Sequence, residues 1–67
     1  MNLLTDKVNL AVIGMPNNKQ TYYTLMDIRK SIELNCLRHR VIDQDSAEAI
    51  LLCDQYRQQM INQGLHL

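Results

Sequence analysis

The chain has 67 residues, a mass of 7.8 kDa, and seven basic against seven acidic side chains, so its formal net charge is zero. A chain of this length forms one small domain, residues 1–67, and has no second domain with which to enclose a substrate. Zero net charge also argues against strong sequence-independent binding of nucleic acid, because that affinity grows with the number of phosphates that Lys and Arg neutralise.

The hydropathy of the chain predicts a globular protein away from membranes. Hydrophobic residues make up 46% of the sequence and charged residues 21%, a balance typical of globular domains. The longest apolar run, Leu10 to Ile13, is far shorter than the roughly 20 residues that cross a bilayer. The start of the sequence lacks the basic and long apolar segments of a secretory signal. We therefore expect a cytoplasmic protein that does not bind membranes.

Residues 1–18 are predicted to form an N-terminal arm that ends in a turn. The segment Gly-Met-Pro-Asn-Asn at 14–18 combines residues that stop helices and favour turns. The apolar residues of the arm follow helical spacing, and some of them also alternate as in a strand. We favour a short helix over about 5–13, with Thr5 or Asp6 as its N-cap.

The first long helix is predicted over about 19–40, a stretch without Gly or Pro, and Asn18 or Thr21 can cap its first turn. At about 100° per residue its apolar side chains divide into two stripes. The first stripe consists of Leu25, Ile28, Ile32 and Cys36. The second stripe consists of Tyr23, Met26, Leu34, Leu37 and, where the helix reaches it, Val41. One helical hairpin cannot cover both stripes.

A second long helix is predicted over about 45–63. Asp45 and Glu48 have the spacing of a capping box at its start, and Gly64 is placed to end it in a left-handed conformation. The short link makes the two long helices antiparallel neighbours over 19–67. We therefore predict an all-α fold, an antiparallel helical hairpin with a short N-terminal helix or arm. The arm either covers the second stripe, closing a three-helix bundle, or leaves that stripe free as an interface.

The chemistry-bearing residues do not predict an enzyme. Cys36 and His39 lie three positions apart on one helix and, with Cys53 and His66, invite a zinc hypothesis. Their spacing is not that of a recognised zinc module, and cysteines on apolar stripes usually behave as small hydrophobic residues. Two cysteines are also too few for a disulfide framework, so we expect reduced, packed thiols, with a single Cys36–Cys53 bridge as the alternative. We predict no metal, no cofactor and no catalytic residue.

The stretch from Leu25 to Gln63 resembles the sporulation-regulating aspartyl-phosphate phosphatases, which are two-helix proteins of similar size. Ile28, Arg29 and Asp54 align with the apolar-Arg opening and the aspartate of that family's motif. Ile50 stands where the family has serine, so the motif is not intact and the resemblance does not change the prediction. A general likeness also exists to small helical modulators of a nucleoid protein and to small helical export chaperones of type III secretion.

The sequence therefore predicts a small regulatory or adaptor protein that binds another protein through an apolar helix face. An antagonist or anti-repressor of a transcriptional regulator, such as those that phages encode, is one example. A small dimeric DNA-binding regulator and a small helical chaperone subunit are the alternatives. The partner is another protein, a second copy forming a homodimer, or both. The predicted partner-binding residues are Tyr23, Met26, Arg29, Lys30, Leu34, Leu37, Arg38, Arg40, Leu51 and Leu52.

Overall fold

The computed structural model describes residues 3–67, which fold into three α-helices and no strand: α1 (Leu3–Val12), α2 (Lys19–His39) and α3 (Gln44–Asn62). The predicted all-α hairpin with a short N-terminal helix is confirmed. The strand alternative for the arm is excluded, because α1 is helical up to the turn that begins at Ile13. Gly14, at φ +73°, supplies the left-handed residue that stops this helix.

Side chains and a left-handed residue set the ends of α2. The Oδ1 atom of Asn18 accepts a hydrogen bond from the backbone N–H of Thr21 at 3.0 Å, so Asn18 is the N-cap. At the other end Arg40 adopts φ +54°, and its backbone N–H donates to the last carbonyls of the helix. Val41 closes the turn by donating its N–H to the Cys36 carbonyl at 3.1 Å.

The start of α3 differs from the prediction. Asp43, not Asp45, is the N-cap, and its Oδ1 accepts the backbone N–H of Ser46 at 2.7 Å. Asp45 instead accepts the backbone N–H of Leu4 in α1, at 3.3 Å from Oδ1. The predicted caps of α1 were also wrong, because that helix already includes Leu3, which places Thr5 and Asp6 inside it.

The C-terminal end of α3 follows the prediction. Gly64 adopts φ +100° just beyond the last helical turn, and Leu65 donates its N–H to the Met60 carbonyl at 3.0 Å.

The three helices alternate in direction, so that α2 runs antiparallel to both α1 and α3. One end of α1 lies at the start of α3 through the Leu4–Asp45 hydrogen bond. The Tyr56 hydroxyl donates to the Asn9 side chain further along. Beyond the end of α1, the Asn17 amide donates to the Met60 carbonyl at 3.3 Å. These contacts hold α1 beside α3 along its whole length.

The core lies where the three helices meet. Its buried hydrophobic residues are Val8, Tyr22, Leu25, Ile32, Cys36, Ala49, Cys53 and Met60. Leu25, Ile32 and Cys36 all belong to the first predicted stripe of α2, and Ile28 packs against the cluster from its edge. The first stripe is therefore the core face of α2. No helix described within residues 3–67 is both long enough and apolar enough to cross a bilayer.

Candidate protein-interaction surface

The surface of α2 that points away from the core is apolar and exposed. We call it the outer face; it consists of Tyr23, Met26, Lys30, Leu34 and Leu37. Val41 is not part of it, because α2 ends at His39 and the left-handed Arg40 separates Val41 from the helix. Leu34 is 56% exposed and Leu37 is 72% exposed, although both lie on the longest helix of the chain. At about 100° per residue these positions centre roughly 140° from Leu25, which is 1% exposed in the core. The outer face and the core face therefore lie on nearly opposite sides of one helix.

The N-terminal helix does not cover the outer face. Val8 of α1 is fully buried, and Leu4 and Val12 pack against the same core cluster. Side chains of α3 and the carbonyl of Met60 hold α1 beside α3. The core-facing apolar side chains of α1 therefore pack in the core and do not contact the outer face. The sequence left open whether the arm covers the second stripe or leaves it free. In the structure α1 leaves this stripe uncovered.

A groove extends the outer face toward the link between α2 and α3. It has a volume of about 590 Å³ and is lined mainly by apolar side chains, among them Leu37, Val41, Ile42 and Ile50. Ile42 is 72% exposed and was not predicted as part of a surface. One sequence signal could have indicated that Ile42 is a surface residue. The link between the two long helices contains the adjacent apolar pair Val41-Ile42 and no other apolar residue.

Arg29, a predicted partner-binding residue, is engaged inside the hairpin. Its Nε atom lies 2.9 Å from Oδ1 of Asp54 on α3, and its Nη1 atom pairs with Glu33 one turn ahead. Desolvation acts to lower the pKa of Arg29, but the charges of Asp54 and Glu33 outweigh it and leave that pKa above its ordinary value. Arg29 therefore joins the two long helices, and its role in partner binding stays a prediction.

Arg57 completes this polar contact between α2 and α3. Its Nη1 atom lies 3.1 Å from the same Asp54 oxygen, and its guanidinium carbon lies 5.2 Å from the centre of the Tyr22 ring. Asp54 thus accepts from an arginine on each long helix, and the arrangement fixes how the two helices are aligned. The sequence analysis did not identify these partners of Asp54, because they depend on the tertiary register.

The remaining predicted basic residues are exposed. Lys30 lies in the middle of the outer face, Arg38 lies along one edge, and Arg40 ends α2 in its left-handed conformation. The two predicted leucines of α3 lie elsewhere. Leu51 is 57% exposed on α3, and Leu52 is half-buried against the core. The structure therefore groups Tyr23, Met26, Lys30, Leu34 and Leu37 but does not bring Leu51 or Leu52 to the same surface.

The cysteines and histidines do not form a cluster within the described residues. Cys36 and Cys53 are both buried and unbridged, as predicted. Burial raises the pKa of the Cys53 thiol, and the neighbouring Asp54 carboxylate raises it further, with Arg29 and Arg57 acting weakly in the opposite direction. Across residues 3–67, no three His, Cys, Asp or Glu side chains converge in a way that could hold a metal ion.

Comparison of the chain with protein-family models, curated proteins and solved structures gave no match.

Proposed function

We propose that this chain is a non-enzymatic regulatory or adaptor protein that binds another protein chain through the outer face of α2. One observation carries the proposal. Four apolar side chains, Tyr23, Met26, Leu34 and Leu37, are exposed together on the side of α2 that faces away from the core. A contiguous apolar surface of this kind on a small folded chain marks an interaction site.

Association would stabilise a complex mainly by removing these side chains from water. Full burial of one large aliphatic or aromatic side chain contributes about 1.5–3 kcal/mol, before the cost of ordering the two chains. Tyr23 and Leu37 supply the largest exposed contacts at the two ends of the face. Lys30 and Arg38 supply charges within and beside it, and such charges set the orientation of a partner more than the affinity.

The regulatory role follows from the way such a surface acts. A small helical chain that covers a surface of a larger regulator changes the activity of that regulator by occupancy, with no chemical step. An antagonist of a transcriptional regulator is the example we favour, by analogy with the general behaviour of small binding proteins. The charge and apolar pattern of the outer face support the binding, and the kind of regulator stays a proposal.

Residue-specific photo-crosslinking in the source cell tests the proposal. A photo-activatable amino acid at position 34 is expected to give a crosslink to a defined protein, identified by mass spectrometry. The same amino acid at position 51 is the matched control, since Leu51 and Leu34 are exposed to the same extent, 57% and 56%. A second substitution, Leu37→Asp, is expected to abolish the crosslink from position 34 while leaving the helical circular-dichroism signal intact.

The proposal fails if position 34 gives no protein crosslink, or if positions 34 and 51 give the same products. It also fails if Leu37→Asp leaves the crosslink from position 34 unchanged in a folded chain.

A further inference from the structure

We infer that the occupant of the outer face is a second copy of this chain, whose α2 packs antiparallel against the first around a twofold axis near residue 32. This inference rests on the proposed protein-binding role of the outer face, and it puts a second copy of the chain in the place of the larger regulator that analogy suggested as the partner. The observation that carries it is a pair of opposite charges along one edge of that face, Asp27 and Arg38.

Asp27 and Arg38 lie on the same edge of the outer face. At about 100° per residue, Asp27 lies roughly 200° and Arg38 roughly 220° from Leu25, just beyond Leu34 at about 180°. Both side chains are exposed, and within residues 3–67 neither takes part in an ion pair. Eleven residues of helix separate them, about 16 Å along the axis, so they cannot reach each other within one chain.

A twofold axis brings these charges together. In an antiparallel pair of helices related by such an axis, each edge of one helix faces the same edge of the other. An axis near residue 32 places Asp27 of one copy beside Arg38 of the second copy, and the symmetry repeats this pair. A parallel pair, whose twofold axis runs along the helices, would instead set each edge against the opposite edge of the second copy, so Asp27 and Arg38 would not meet.

The same register matches the apolar side chains of the outer face. Residues of α2 whose numbers add to about 64 lie opposite each other, so Met26 meets Leu37 of the second copy, and Tyr23 lies opposite the end of that copy's α2. Leu34 lies against the aliphatic stem of Lys30, whose ammonium group reaches the solvent at the edge. Tyr23, 52% exposed in the single chain, is then directed to the groove beside Val41 and Ile42.

Charge-reversal variants test this register directly. In D27R and in R38D, every dimer contains two like-charged pairs, and we expect each variant to dimerise about tenfold more weakly or worse than the unchanged chain. An equimolar mixture of D27R and R38D restores both opposite-charge pairs across the axis, and so does the double variant D27R/R38D. Both are expected to recover dimerisation.

The measurement is light scattering coupled to size exclusion at about 10 and 200 µM, since dimerisation follows mass action. The unchanged chain is expected to reach twice the monomer mass of 7.8 kDa at the higher concentration. Lys7→Asp is the matched control, because it changes the net charge as much as R38D but lies on α1, and we expect it to dimerise normally. Circular dichroism verifies that each variant is folded.

Three results would overturn the inference: a monomer at the higher concentration, normal dimerisation of folded D27R and R38D alone, or no association in their mixture. Failure of this inference is distinguishable from failure of the proposed function. A chain that is monomeric by light scattering but crosslinks from position 34 to a foreign protein refutes the dimer and retains the protein-binding role. A chain that does neither refutes both.

Discussion

At the residue scale, Cys53 shows how the core controls reactivity. The side chain has no exposed surface, and the desolvation that burial imposes raises the pKa of its thiol. Because the thiolate is the reactive form, a buried thiol with a raised pKa resists modification in the folded chain. Cys36 lies in the same core cluster and is 7% exposed.

We therefore expect thiol labelling to report opening of the core. In the folded chain, Cys53 should react with a thiol reagent about 100-fold more slowly than in denaturant, because reaction requires a transient opening. The measurement is the labelling rate of Cys36→Ser, which leaves Cys53 as the single thiol, followed by absorbance with and without urea. Equal rates in the two solvents would show that Cys53 is accessible in the folded chain.

At the element scale, the start of α3 depends on the carboxylate of Asp43. Two hydrogen bonds from Ser46 hold the pKa of Asp43 below its ordinary value. The bond from the Ser46 backbone has the larger effect, and the bond from the Ser46 side chain has the smaller one. The charged form is thus favoured by folding. The charged carboxylate of Asp43 therefore contributes to the stability of the fold at pH values above the ordinary carboxylate pKa. This contribution is lost as the pH falls through the lower pKa that Asp43 has in the folded chain.

Asp43→Ala is expected to lower the melting temperature by a few degrees at neutral pH, because the first turn of α3 loses its cap. Asp43→Asn keeps an acceptor oxygen and should retain most of the stability, but the part of the acid dependence that Asp43 contributes should disappear. Thermal melts followed by circular dichroism from about pH 2 to pH 7 measure both effects. An unchanged neutral-pH melt for Asp43→Ala would contradict this assignment.

The ends of the helices show what local sequence can predict. Asn18, Gly14 and Gly64 act as predicted, because capping and helix termination depend on neighbouring residues only. Asp45 was misassigned because its partner, the Leu4 N–H, lies 41 residues away. Local spacing could not distinguish that long-range bond from a capping box.

For the candidate surface too, local sequence predicts some features, while others depend on contacts between helices. The periodicity of α2 identified which apolar side chains share a face, and the structure shows that Leu34 and Leu37 are exposed there. Whether the arm would cover them could not be derived, because the position of α1 is set by its contacts with α3. The ion pair of Arg29 could not be derived for a similar reason, since its partner Asp54 approaches only when the two helices align.

At the scale of the whole molecule, α1 contributes to a core that the hairpin alone would leave open. Val8 is fully buried between α2 and α3, whereas Leu10 on the same helix is 70% exposed. A chain of this size has a total stability of only about 3–5 kcal/mol. The burial of a single side chain of α1 therefore contributes a large fraction of the total free energy of unfolding.

Val8→Ala is expected to lower the free energy of unfolding by about 1–3 kcal/mol, because it removes two buried methyl groups and leaves a cavity. Leu10→Ala, on the exposed side of the same helix, is the matched control and should change that free energy by no more than about 0.5 kcal/mol. Urea denaturation at one fixed chain concentration measures both. Similar losses for the two variants would mean that α1 is not docked as described.

The parallel arrangement of α1 and α3 also affects the order in which the three helices can pack against one another. The partners of α1 lie 41 to 47 residues further along the chain, whereas Arg29 and Asp54 join the two long helices across only 25. During synthesis α1 is made before α2 and α3, yet most of the side chains that hold it belong to α3. We therefore expect α1 to dock last of the three helices, with its apolar side, including Val8, in water until α3 is available.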